Sequence, residues 1–233
     1  MIAGQSVLAI VPARGGSKGV PRKNLRMAGG KPLLAWTVET ARRSRYVDRL
    51  IVSSEDAEII ATARELGCDV PFVRPADLAR DDTPGIDPVL HALATLPPFD
   101  WVVLLQPTSP LRSAQDIDGC IEACALHGAN ACVSVSRADQ SPYWMFSMES
   151  DNRLRPLLPD RQLPDRRQDL PPVYLLNGAV YVARRAWLME VRSFITEETR
   201  GYAMPGKRSI DIDTEQDLKL FELIVQQESE HGL

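Results

Sequence analysis

Apolar positions along the chain fall into two alternating patterns. Short, nearly unbroken apolar runs at residues 6–12, 50–52, 69–73, 101–105 and 131–135 predict strands covered on both faces, as in a parallel sheet. Between them, one-sided apolar spacing predicts helices over 32–44, 56–66, 86–96 and 114–127. Pro32 opens the first of these, Gly67 stops the second and Pro97-Pro98 stop the third. Strand and helix in strict alternation predict an α/β fold with a doubly wound, mostly parallel sheet. Right-handed crossovers then gather the strand-to-helix loops at one sheet edge, where ligands bind.

The rhythm breaks near Arg137. Residues 141–172 hold six of the 18 prolines, many Arg and Asp, and the aromatic run Ser141-Pro142-Tyr143-Trp144-Met145-Phe146. The expected organisation is one α/β domain from 1–140 and 173–233, with 141–172 as an insertion. That apolar segment reads either as an oligomer contact or as a local hairpin packed on its own subunit. Strands are expected at 173–176 and 179–182, around Asn177-Gly178, and at 209–212, with a last helix over 214–227.

Composition narrows the class. The chain has 233 residues, 44% hydrophobic and 25% charged, so disorder, collagen and coiled coil are excluded. No apolar run approaches the roughly 20 residues that span a bilayer, and the amino terminus lacks a signal core. A soluble, cytoplasmic protein without a membrane partner is expected. A net charge of -4 argues against bulk nucleic-acid binding. Cys68, Cys120, Cys124 and Cys132 form no metal-binding pair, and His91, His127 and His231 are scattered, so neither a thiolate metal site nor a Ser-His-Asp triad is supported.

The loop after the first strand carries the strongest chemical signal. Residues 12–24 contain Gly15, Gly16 and Gly19, whose amides can approach an anion closely, and Ser17 adds a hydroxyl. Arg14, Lys18, Arg22, Lys23 and Arg26 give a local charge of +5 with no acidic residue between them. A nucleoside triphosphate, with about four negative charges, suits such a loop. Neither the dinucleotide glycine pattern nor the Walker loop is present. The plain alternative is a solvated basic loop.

At the other end, Ser209-Ile210-Asp211-Ile212-Asp213 alternates, which places Asp211 and Asp213 on one face. Two carboxylates at that spacing can hold Mg²⁺ alongside phosphate oxygens and water. Helix capping by Asp213 or Thr214 competes with that reading for Asp213 but leaves Asp211 unexplained. Gln106-Pro107-Thr108-Ser109-Pro110 follows the strongest strand, either to orient a substrate hydroxyl or as a plain turn. Arg166-Arg167-Gln168-Asp169 offers two guanidinium groups to an anion, or is a solvated charge run.

Taken together, these segments resemble the acylneuraminate cytidylyltransferases, the CMP-sialic acid synthetases and their relatives for other nonulosonic acids. The resemblance runs over about residues 7–225 and implies a Rossmann-like nucleotidyltransferase fold with a small dimerisation insertion. It implies that CTP and a nine-carbon acidic sugar give the CMP-sugar and pyrophosphate, with Mg²⁺. By the same resemblance Arg14, Gly15, Ser17, Lys18, Lys23, Asn24 and Arg74 bind the nucleotide. Asp211 and Asp213 hold the metal, and Gln106, Arg167, Gln168, Asn177, Tyr181 and Phe194 serve the sugar, Phe194 from the partner subunit. Arg166, Asp211 and Lys23 are the implied catalytic residues, and the assembly is a homodimer joined through 141–172. Leu175-Leu176 stand where many relatives carry Arg-Pro, which keeps legionaminic, pseudaminic and other acidic sugars open beside N-acetylneuraminate. A non-catalytic CTP-binding protein on the same scaffold is the reading of another class.

Overall fold

A computed structural model describes residues 1–158, 166 and 169–230, with side chains through residue 228. The first half of the chain holds β1 (Val7–Pro12), a short hairpin of β2 (Met27–Ala28) and β3 (Lys31–Pro32), α1 (Leu33–Arg42), β4 (Arg49–Ser53), α2 (Ala57–Glu65), α3 (Asp87–Thr95) and β5 (Trp101–Leu104). The second half holds α4 (Ala114–Leu126), β6 (Ala131–Arg137), β7 (Phe146–Met148), β8 (Leu154–Pro156), β9 (Tyr174–Arg184), α5 (Arg185–Val191), β10 (Arg200–Met204) and α6 (Glu215–Glu230).

The central sheet runs β10-β6-β9-β5-β1-β4. β1 pairs in parallel with β4 and β5, and β10 in parallel with β6; β9 runs antiparallel to both β5 and β6. The unbroken apolarity of β1 has its physical reason here. Val7, Ala9 and Val11 enter the core under α1 and α4, while Leu8 and Ile10 enter the core under α3 and α5. All five are fully buried.

Local chemistry sets the helix ends. The Asp56 side chain caps α2 by accepting from the amides of Glu58 and Ile59. Ser113 and Asp116 form a reciprocal capping box on α4, a device that contributes about 1 kcal/mol. A third core, Val20, Ala28, Leu33, Ile212, Leu218 and Phe221, clamps α6 against the β2–β3 hairpin and the first loop. This packing brings the basic loop to the Asp211–Asp213 segment. Each such large apolar side chain contributes about 1.5–3 kcal/mol on burial.

Several expectations are corrected. The strand over 69–73 shrinks to one bridge, Ile51 to Asp69, because Pro71 and Pro75 remove the amides a longer ladder needs. The strand over 209–212 is an extended loop joined to the fold by the Ile212 amide donating to the Thr108 carbonyl at 2.8 Å. Its alternation survives, with Ile212 buried between exposed Asp211 and Asp213. The two runs around Asn177-Gly178 form one 11-residue strand. Gly178 takes φ +71° there, beside a register shift of β6 between Val133 and Val135. α5 and β10 add to the expected elements; β10 shows no apolar run, having mostly exposed residues and a glycine. All four cysteines are buried free thiols, as small apolar residues would be. Among the described residues no helix is long and apolar enough to cross a membrane.

Candidate active site

The carboxyl ends of β1 and β5 open into a cleft of about 370 Å³. Arg14, Lys23, Asn24, Arg74, Gln106, Asp211 and Asp213 all line it. The first loop is fixed from within. Asn24 is nearly buried, and its amide donates to the Arg14 carbonyl at 2.9 Å. The Gly15 amide donates to Glu55 Oε1 at 2.8 Å. At Gly19 a Cβ would stand 1.9 Å from the Asp213 carbonyl oxygen, so only glycine lets this loop lie on the carboxylate segment. Lys23 Nζ completes that contact, donating to the Ile212 carbonyl at 2.6 Å and to Asp213 Oδ1 at 3.0 Å.

A buried arginine supports the opposite wall. Arg112 is 2% exposed, and it donates to Thr37 Oγ1 at 2.8 Å and to the Gln106 carbonyl. Burial lowers the pKa of this guanidinium, and the charges of Asp211 and then Asp116 oppose the shift. The Asp211 loop is anchored further back, where Arg208 donates to fully buried Asp116 through two bonds of 3.0 and 2.7 Å.

The carboxylates carry an electrostatic signature. Desolvation raises the Asp211 pKa above the ordinary carboxylate range. A hydrogen bond from Thr108 opposes this, repulsion from Asp213 adds to it, and Lys23 offsets part. Asp211 is open to the cleft yet walled by protein, and the wall is what desolvates it. Among the described residues no cluster of three or more His, Cys, Asp or Glu could hold a metal. Two carboxylates are what Mg²⁺ commonly takes from a protein when phosphates and water complete the shell, so the donor set fits such an ion. A cation between Asp211 and Asp213 would also relieve their repulsion.

Other expected residues lie at different depths. Gly15, Ser17 and Lys18 lie on the loop beside the cleft, and Lys18 reaches its rim through Asp81 at 2.9 Å. Tyr181 is half-buried on β9, its pKa raised first by burial and then by the charge of Asp211. Asn177 is turned inward. It accepts from Ser134 Oγ at 2.6 Å and donates to Ser209 Oγ at 3.0 Å, which braces the bulge and the carboxylate loop. Phe194 is 6% exposed and packs on Tyr181 of its own chain, ring centres 5.6 Å apart. Arg166 is exposed and pairs with Asp169 at 2.9 Å. Arg167 and Gln168 lie outside the described residues. Two residues that sequence reasoning passed over are Glu55, which ties Gly15 to Arg74, and Arg112. Glu55 had a signal, since it stands just past the carboxyl end of β4, at the ligand edge.

Residues 8–228 match the cytidylyltransferase family. The chain belongs to that family. Its members are nucleotidyltransferases. The chain is 36% identical to the CMP-N,N'-diacetyllegionaminic acid synthase of Legionella pneumophila, over 94% of this chain and 96% of that protein. It is 32% identical to the N-acylneuraminate cytidylyltransferase of Streptococcus agalactiae over 90% of its own length, which is 51% of that longer protein. In fold it is similar to a CMP:2-keto-3-deoxy-manno-octonic acid synthetase solved with CTP, at TM-score 0.73 and 16% identity, covering 96% of this chain and 99% of that one.

Proposed function

We propose that this cytidylyltransferase activates a nonulosonic acid with CTP. The anomeric hydroxyl attacks the α-phosphorus and loses its proton to solvent, the bond from that phosphorus to the bridging oxygen breaks, and CMP-sugar and pyrophosphate leave. The observation that carries this reading is the joining of Arg14, Lys23 and Arg74 to Asp211 and Asp213 in one cleft of a chain with this family match. Phosphoryl chemistry of this kind is mainly positioning and charge stabilisation. Arg14 and Lys23 supply positive charge to the phosphates, and Arg74 donates to the nucleotide from a buried base. Arg74 is 3% exposed, held by Glu55 at 2.5 Å, and its Nε has no protein partner. Asn24 shapes the nucleotide-facing backbone through its bond to Arg14.

Asp211 and Asp213 would hold Mg²⁺, which when bound polarises phosphate oxygens and screens their charge. The sugar lies toward Gln106 and Tyr181, with Arg167 and Gln168 among its contacts and Arg166 assisting the reaction, as the family resemblance implies. The full-length similarity to a diacetyllegionaminic acid synthase puts a diacetamido acid first among substrates to try.

Pyrophosphate release tests the reading, with CTP and Mg²⁺ across legionaminic, pseudaminic and N-acetylneuraminic acids and an eight-carbon control. Release with one nine-carbon acid, and with CTP over ATP, GTP and UTP, is expected. CTP binding without turnover on any acid would replace the enzyme by a nucleotide-binding protein. Residues 141–172 form the dimer contact in this reading. Met145, Phe146, Met148 and Leu154 are exposed around the β7–β8 hairpin, and Leu175 and Leu176 are exposed at the start of β9. Light scattering at micromolar concentration should give twice the chain mass; a monomer would remove the contact.

A further inference from the structure

The basic loop is not offered bare to a ligand. Asp81 Oδ1 stands 2.9 Å from Arg14 Nη1, and its Oδ2 stands 2.9 Å from Lys18 Nζ. One carboxylate therefore joins two cations of the glycine-rich loop across the cleft that both Arg14 and Asp81 line. Glu55 does a similar thing deeper down, on the Gly15 amide and Arg74. The two differ in how firmly they are held. Glu55 is 19% exposed and its arginine partner 3%. Asp81 is 48% exposed, and Arg14 and Lys18 are 35% and 77% exposed. Ion pairs this open to water are weak and exchange readily. The same two cations can serve Asp81 or a phosphate chain, not both at full strength.

We propose that Asp81 is a built-in competitor for the triphosphate, displaced from Arg14 and Lys18 when CTP binds and so setting the affinity for the nucleotide. The inference rests on the CTP reading above for its ligand, but its core is an exchange of one anion for another. A polyphosphate repays the lost pairs with several oxygens at once. A single phosphate has fewer with which to do so, so Asp81 also biases the cleft toward long phosphate chains.

Calorimetry on the intact protein tests this with two probes, inorganic tripolyphosphate and CTP, on wild type, Asp81→Asn and Asp81→Ala. Both variants are expected to bind both probes about three- to tenfold more tightly at low salt, the gain shrinking as salt rises. Thermal unfolding checks that the variants fold. Unchanged or weaker binding of tripolyphosphate in both variants overturns the proposal. Weaker CTP binding with tripolyphosphate unchanged also overturns it and makes Asp81 a nucleoside contact. Wild-type protein that binds tripolyphosphate but does not prefer CTP to other nucleotides would sink the CTP reading while leaving the exchange open to the same comparison.

Discussion

Asp211→Asn is expected to lower Mg²⁺-dependent turnover at least ~100-fold, since even the outer partners of metal ligands are worth about 10–100-fold. The fold should survive, and without metal it should gain. Asp211 is held above the ordinary carboxylate range by desolvation, then by Asp213 and Asp217, against Thr108 and Lys23. A carboxyl whose folded pKa is raised binds more protons folded than unfolded, so stability falls as pH rises from its unfolded value, near 3.9, through the raised one. At neutral pH the ionised group therefore works against folding, and an uncharged asparagine removes that opposition. In chelator at pH 7 the variant should melt above wild type, and the difference should fade as pH falls below about 4. Near-normal turnover would remove Asp211 from the proposed metal site, and a lower melting temperature at pH 7 would make it a structural residue.

Arg112→Ala is expected to destabilise by about 3–5 kcal/mol in urea denaturation, through the cavity it leaves and the buried acceptors it strands. The Gln106 carbonyl and Thr37 lose their donor. Turnover should fall as well, because the Gln106–Thr108 wall and the amide of Ile212 that reaches Thr108 lose their backing. Arg112→Lys should recover little of either, since one ammonium lacks the planar fork that spans both acceptors. A loss under 1 kcal/mol would mean that the wall stands without it.

How much of this was legible in the sequence depended on range. Unbroken apolar runs announced β1 and β5 because a strand buried on both faces leaves no polar alternation. The ligand edge followed from topology, and the basic loop and the alternating carboxylates stood out by charge alone. Arg112 did not, because nothing local distinguishes a buried cation from a solvated one. One of its two buried acceptors, Thr37, lies 75 positions away. Asn177 shows the converse. An asparagine beside a glycine in a site-like segment invites a ligand role, yet here it braces a bulge with Ser134 and Ser209. The carboxylate loop looked like a strand because alternation reports which side faces water, whether or not a neighbour is hydrogen-bonded.

The contact between Lys23 and Asp213 joins positions 190 residues apart. During synthesis, β1 through β9 can emerge with the cationic loop complete and Asp81 on Arg14 and Lys18, but without the carboxylate that meets Lys23. Only after β10 does the chain supply Asp211, Asp213 and the apolar face of α6 that presses them into place. A ribosome-bound or prematurely ended chain would thus carry most of the sheet and a basic loop, but no paired cleft. Pairing of the basic loop with the Asp211–Asp213 segment therefore waits on the part of the chain that follows β10.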